Sequence, residues 1–366
     1  MPNDVHAPSW HLLDATVPAA DSGPALPPSR TAAGGATLRI RNFDHCQTSA
    51  TPPGNIVTLT PAPALPPIPV VCDIGGFDPS LTPIQWRLAV RHVLSRYRNA
   101  GNYRYRPFTS TLEREWRGES RAPAFTIFGT AADACACTYN DNTRVMGGYG
   151  TLQVAVTLPS GTLLDSVRLL VTGANPAPED VQAWLDLRLQ GCDPNILRMA
   201  RAVFAHESGY RQFSTSPQTA VSMTFTRRQH TNPAQPDCKV RFDWPDEPAG
   251  FPLASYDFGI GISQWTHPDD MSPDIAWDWR ENMRTGVALF LDCVRKTFRP
   301  GTTWADWALA AWASYNGSGS GAAAYAANLA QSAEGILVSR ASVSGSPEIA
   351  RLSPPPPLAD PGVWVA

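Results

Sequence analysis

The chain has 366 residues, of which 43% are hydrophobic and 17% charged, with 36 prolines and a net charge of -3. Charge is below and proline about twice the usual globular share, which describes folded material joined by Pro-rich connectors; length alone suggests two domains. The slightly acidic balance excludes the broad electrostatic footprint of a nucleic-acid-binding protein, and no run approaches the roughly 18 apolar residues of a membrane span, so neither partner is expected.

From the N-terminus, 1–36 is rich in Pro, Ala and Ser without periodicity and reads as a flexible arm with Trp10, Leu12 and Leu13 as an anchor. Its opening, MPNDVHAPSWHLLDATV, has no positive n-region and no apolar core, so no secretory signal is expected. TLRIRNF, GNIVTLTP and IPVVCDIGGF then alternate like strands. Between Thr82 and Tyr97, Trp86, Val90, Val93, Leu94 and Tyr97 recur at helical spacing, and an amphipathic helix is expected. Its other face and the next loop carry Arg87, Arg91, Arg96, Arg98, Arg104 and Arg106 among tyrosines, either a solvated face or a patch for an anionic polymer. AFTIFGT and TLQVAVTLPSGTLLDSVRLLVTG bring back strands, with a Pro-Ser-Gly turn inside the second. The fold class expected is α+β: a β-sandwich-like domain with a helical insertion over 37–174, then a helical domain over 179–334, with Asn175-Pro176-Ala177-Pro178 as the linker. A Pro-rich tail follows over 335–366.

Seven cysteines, an odd number without a CxxC pair, predict neither a zinc site nor a full disulfide framework and leave at least one thiol free. No metal and no organic cofactor is called for.

The helical domain holds the chemistry. In NILRMARAVFAHESGYRQF, Ile196, Ala200, Val203, Glu207 and Tyr210 share one helical stripe, so Glu207 points with the apolar side chains. Desolvation there favours the protonated carboxyl, as a general acid requires. Ser208-Gly209 ends the helix. A zinc helix is excluded because the second His of His-Glu-x-x-His would stand at Tyr210. Ser214 to Ser255 reads as a long irregular loop, followed by Gly259-Ile260-Gly261-Ile262-Ser263-Gln264. Asp278 to Lys296 and Trp304 to Tyr315 are two further amphipathic helices, the latter ending in Ala313-Ser314-Tyr315-Asn316-Gly317.

Four segments in this order resemble the lytic transglycosylase and goose-type lysozyme superfamily: Glu207-Ser208; GIGISQ, where Ser263 replaces the family's Met; Asn282 to Leu289; and Ala313 to Gly317, where Ser314 intervenes. The resemblance covers about 193–331 and implies a lysozyme-like fold that cleaves the β-1,4 bond between N-acetylmuramic acid and N-acetylglucosamine in peptidoglycan. It implies Glu207 as the catalytic acid and Ser208, Gln264, Tyr315 and Asn316 as substrate-binding residues, with 1,6-anhydro products. Two alternatives stay open: a hydrolytic lysozyme using Asp257, Asp243 or Asp270 as second carboxylate, or a non-catalytic adaptor gripping the wall. A wall enzyme without a secretory signal is expected to be made in the cytoplasm and to reach the cell wall or periplasm by a non-Sec route. An effector of a contractile secretion system or a phage-tail component, engaged through the N-terminal region, fits that expectation.

Overall fold

The computed structural model describes residues 35–45, 55–62, 64–99, 105–128, 137–139, 145–218, 222–227, 238–243, 247–255, 259–266, 271–317, 321–332, 339–345, 347 and 349. The chain is mixed α+β, with sheets in its N-terminal part and a helical C-terminal region. The expected arm lies outside the described residues except for 35 and 36, and of the expected tail only 339–345, 347 and 349 are described, with Val343 packed in the helical core.

Alternation builds the sheets. Strands β1 (Thr37–Ile40), β2 (Ile56–Leu59) and β3 (Ile68–Gly75) bury alternate residues, as a period of two requires. β4 (Ile84–Asn99) and β5 (Tyr105–Ser120) form one long antiparallel hairpin. This corrects the helix expected over 82–97, and with it the helical insertion. Ile84, Trp86, Leu88, Val90, His92 and Leu94 are all buried, a period of two. The inward His92 interrupts the apolar series and leaves Trp86, Val90, Val93 and Leu94 matching a helical template by coincidence, while β-branched and aromatic residues favour the strand.

β6 (Ala124–Ile127), β7 (Cys137–Tyr139), β8 (Gly148–Leu158) and β9 (Gly161–Gly173) complete this part, with Leu158 paired to Gly161 across the turn expected from Pro159-Ser160. Strand order is β1-β3-β6 in one sheet and β2-β9-β8-β4-β5-β7 in the other, where β2 runs parallel to β9. Ile40 and Val70 from the first sheet share one buried cluster with Trp86, Leu152 and Val167 from the second.

The linker is clasped rather than loose: the Asn175 side-chain amide donates to Phe213 O (2.9 Å) and its oxygen accepts from Phe213 N (2.7 Å). Helices α1 (Pro178–Arg188) and α2 (Pro194–Ser208) follow. The segment expected to be irregular over 214–255 contains an antiparallel hairpin, β10 (Ser222–Arg227) with β11 (Cys238–Asp243). Then come α3 (Pro273–Trp277), α4 (Trp279–Thr297), α5 (Trp304–Tyr315) and an unanticipated α6 (Ala322–Gln331). Their apolar faces form a second core, in which the Trp312 indole donates to Met199 O of α2 and the Trp307 indole to Val294 O of α4 (both 3.0 Å). Each indole thus buries its ring and still satisfies its one donor.

A polar seam forms where the first core takes in Phe213, Phe251, Ile260, Ala276 and Trp277 from the part of the chain beyond the linker. Trp277 Nε1 donates to His92 Nδ1 (3.2 Å), so the His92 proton sits on Nε2 and is donated to Glu247 Oε1 (3.1 Å). Gln218 Nε2 donates to Glu247 Oε2 (3.1 Å). Gly147 lets Trp277 in, since a Cβ there would lie 2.1 Å from the indole. No described helix is long and apolar enough to cross a membrane. Cys72 and Cys293 carry free thiols, as the odd cysteine count predicts, and burial pushes the Cys72 thiol up to about 12.

Candidate active site

Helix α2 is capped at both ends. The Asp193 side chain accepts from Asn195 N (2.8 Å) with Pro194 in the first turn, and Gly209 takes the left-handed conformation (φ 62°) at the other end. Tyr210 is left-handed too (φ 63°), a conformation that costs a non-glycine residue roughly 1–2 kcal/mol. Its ring is buried and its hydroxyl donates back to Arg201 O (3.0 Å), which holds the reversal in place. The chain therefore stops sharply one residue after Glu207-Ser208, leaving Glu207 half-buried in the last turn of a helix whose other side packs the core.

Ser208 is buried, and its hydroxyl donates to Ile262 O (3.1 Å) and accepts from Arg211 N (3.2 Å). It thus ties the helix end to the 260–264 turn, which closes on itself through Ile260 N to Trp265 O (3.1 Å) and Trp265 N to Ile260 O (3.0 Å). Two buried amides fix that turn. Gln212 accepts from Ile262 N (3.2 Å) while donating to Ala276 O (2.8 Å); Asn282 accepts from Ser263 N (2.8 Å) and Ser263 Oγ (2.9 Å) while donating to Ile260 O (2.9 Å). One helical turn beyond Asn282, Gly286 lets the loop press onto α4: a Cβ there would lie 2.3 Å from that of Ser263. The Asn282-x-x-x-Gly286 spacing therefore has a physical reason in this chain.

Gln264 closes the turn in a left-handed conformation (φ 48°), donating from Nε2 to Gly261 O (2.8 Å), while its Oε1 is buried without a partner among the described residues. Strain combined with an orphaned acceptor marks a position built for something other than stability. Tyr315, at the end of α5, donates to Ser263 O (2.9 Å), and its ring stands edge-on to Phe204 and Phe290. Burial, then the charge of Glu207, raises its phenol well above the ordinary value. Asn316 caps α5 and is exposed beside it.

Tyr325, from the middle of α6, reaches Glu207: its hydroxyl donates to Glu207 Oε1 at 2.5 Å. Burial and then the Glu207 charge raise this phenol also. His206 stands edge-on to the same ring at 5.2 Å, and partial burial lowers its pKa below the usual histidine value. Sequence reasoning missed Tyr325. The only signal was one polar aromatic in the Ala-rich run AAAYAANLAQ.

The structure thus gathers Glu207, Ser208, Gln264 and Tyr315 around one helix end and adds Tyr325. Of the proposed second carboxylates, Asp257 and Asp270 lie outside the described residues, and Asp243 is placed only as a strand residue of β11. Among the described residues no group of three or more His, Cys, Asp and Glu is arranged to hold a metal ion. A half-buried carboxyl that takes a hydrogen bond from a phenol at a helix end can exchange a proton with a bound polar substrate. No protein-family model matches this chain, no curated protein matches it in sequence, and no solved structure matches it.

Proposed function

We propose that the protein is a peptidoglycan-cleaving glycosidase of the lytic transglycosylase type, acting at the cell wall with Glu207 as its acid and base. On this reading 37–174 is a sandwich-like platform and 179–334 a lysozyme-like domain. The observation that carries the reading is the Glu207–Tyr325 contact at the helix end, set against the turn held by Gln212 and Asn282. Glycosidic cleavage needs a carboxylic acid to protonate the leaving oxygen and a group to stabilise the oxocarbenium-like centre. Glu207 supplies the first; the acetamido group of the substrate supplies the second. The same carboxylate then removes the proton of the sugar 6-hydroxyl as that oxygen closes on the anomeric carbon, which returns Glu207 to its acid form and yields a 1,6-anhydro end. Gln264 Oε1 is a buried acceptor unmatched among the described residues in the same turn, and Asn316 is exposed next to Tyr315 at the end of α5.

The test is digestion of purified peptidoglycan by wild type and by Glu207→Gln. Wild type is expected to release muropeptides and the variant none, with unchanged folding and glycan binding. Near-normal cleavage by the variant would remove Glu207 from the role, and binding without release by wild type would leave a wall-gripping adaptor.

A further inference from the structure

Helix α3 is only five residues long, yet it is fastened on two sides. Its last residue, Trp277, belongs to the sheet core, and Trp279, just beyond it, belongs to the helical core. Both indoles donate back to the sheet region: Trp277 Nε1 to His92 Nδ1 of β4 (3.2 Å) and Trp279 Nε1 to Pro61 O, past the end of β2 (2.8 Å). The Trp277 ring stands edge-on to His92 and Phe251, with centroids 5.1 and 5.4 Å away. Between the two tryptophans, Asp278 ends α3 by donating its N–H to Asp274 O (2.7 Å) and opens α4 by accepting from Arg280 N (2.8 Å). A shift of α3 therefore strains bonds to the sheet region.

The last carbonyls of a helix have no partner within it, and water or any side chain can satisfy them. Those of α3 are taken by the two amides that also fix the 260–264 turn. Gln212 Nε2 donates to Ala276 O (2.8 Å) and Ile275 O (3.3 Å), and Asn282 Nδ2 donates to Ile275 O (3.1 Å). On the turn, Gln212 accepts from Ile262 N (3.2 Å), while Asn282 accepts from Ser263 N (2.8 Å) and donates to Ile260 O (2.9 Å). Both side chains are fully buried, and Gly261 presses against them: a Cβ there would lie 2.5 Å from Gln212 Oε1 and 2.7 Å from Asn282 Nδ2. Close-packed groups with their hydrogen bonds filled have little slack to absorb a displacement.

We propose that Trp277 is a positioning residue for the candidate active site: by locking α3 to the sheet region it sets, through Gln212 and Asn282, the 260–264 turn to which Ser208 ties the Glu207 helix end. The relay is continuous. His92 accepts from Trp277, the adjacent Ala276 O accepts from Gln212, Gln212 accepts from Ile262 N, and Ile262 O accepts from the Ser208 hydroxyl (3.1 Å). Contiguous packed and hydrogen-bonded groups of this kind are what carry coupling between distant parts of a fold. The sheet region thereby forms part of the framework of the site, whichever reaction Glu207 serves.

The test is the backbone amide NMR spectrum of the full chain. Trp277→Phe keeps a ring at the seam and deletes its one donor. It is expected to shift the amide resonances of Ile262 and Ser263, the donors bound by Gln212 and Asn282, and to lower their hydrogen-exchange protection about 5-fold, the worth of one net hydrogen bond. Val156→Ala is the control. Val156 is buried in the same sheet core but eight residues along β8 from Gly148, roughly 27 Å away, so its loss loosens packing and should leave both resonances in place. A turn that stays put in Trp277→Phe while His92 and Phe251 move would overturn the proposal. Equal movement of the turn in Val156→Ala would do the same, since general loosening would then suffice. If Trp277→Phe fails to fold, Trp279→Phe, which deletes the donor to Pro61 O and keeps a ring, decides on the same two resonances. Because the readout is spectroscopic, a wild-type protein that releases nothing from wall would refute the cleavage reading and leave this coupling standing.

Discussion

Glu247, at the seam beside the sheets, and Glu207, at the end of α2, are both drawn in from solvent, and they are held in different ways. Glu247 is only 6% exposed, and both its oxygens are occupied by side chains that are themselves locked, His92 through Trp277 and Gln218 through its bonds to Pro252 O and Ala254 N. Glu207 is half-buried at a helix end and accepts from the Tyr325 phenol, and its neighbour Ser208 is bonded to a turn whose Gln264 is strained and carries an acceptor unmatched among the described residues. Saturation on every side is what stability requires of a buried charge. Orientation with partial exposure is what proton transfer requires. Burial alone does not separate structure from chemistry; the state of the neighbouring groups does.

The sharpest way to break the comparison is to neutralise each carboxylate in turn. Glu207→Gln should cut muropeptide release by about 10²–10⁴-fold with little change in Tm, because the amide keeps the shape and loses the transferable proton. Glu247→Leu should do the opposite. Removing the carboxylate leaves buried donors of His92 and Gln218 unmatched, at about 1–3 kcal/mol each, read as a denaturant midpoint shift, while activity per folded molecule is retained. Swapped outcomes would mean that the roles have been assigned to the wrong carboxylates.

Next in size is the phenol. Tyr325→Phe deletes only the hydroxyl that orients Glu207 and should lower kcat about 10–100-fold with a small effect on KM. Tyr315→Phe should cost less, since that hydroxyl bonds Ser263 O rather than Glu207. Equal losses from the two, or a loss confined to KM, would contradict the geometry.

The smallest effect concerns Asp278, the N-cap of α4, which accepts from Arg280 N (2.8 Å) and which burial pushes up to about 6 from 3.8. An acid whose pKa is raised on folding binds more protons in the folded state between those values. Stability should therefore rise as pH falls from about 7 to 4. Asp278→Asn keeps a good cap and should flatten that part of the pH profile of the denaturant midpoint. An unchanged profile in the variant would remove Asp278 as its cause.

Much of the helical region was legible because its signals are local. Apolar spacing of about 3.6 residues and Gly209 predicted the course and the end of α2, and apolar spacing likewise placed α4 and α5. Tyr325 was not legible, because an Ala-rich helix has no sharp polar and apolar faces and nothing in AAAYAANLAQ points across 118 residues to Glu207. The β4 strand was misread for the complementary reason. Its alternation includes His92, a polar residue that faces inward only because Glu247 and Trp277, far along the chain, are there to receive it. The β10–β11 hairpin was hidden by a polar composition that resembles a loop. For Tyr325 and for β4 the missing information was a non-local partner.

The central claim is that Glu207 performs cleavage without a second protein carboxylate, and the products of wild-type digestion test it most directly. Mass spectrometry of the released muropeptides should show 1,6-anhydro ends, one water lighter than hydrolytic products. Reducing-end products would contradict the account and require a water-positioning carboxylate opposite Glu207.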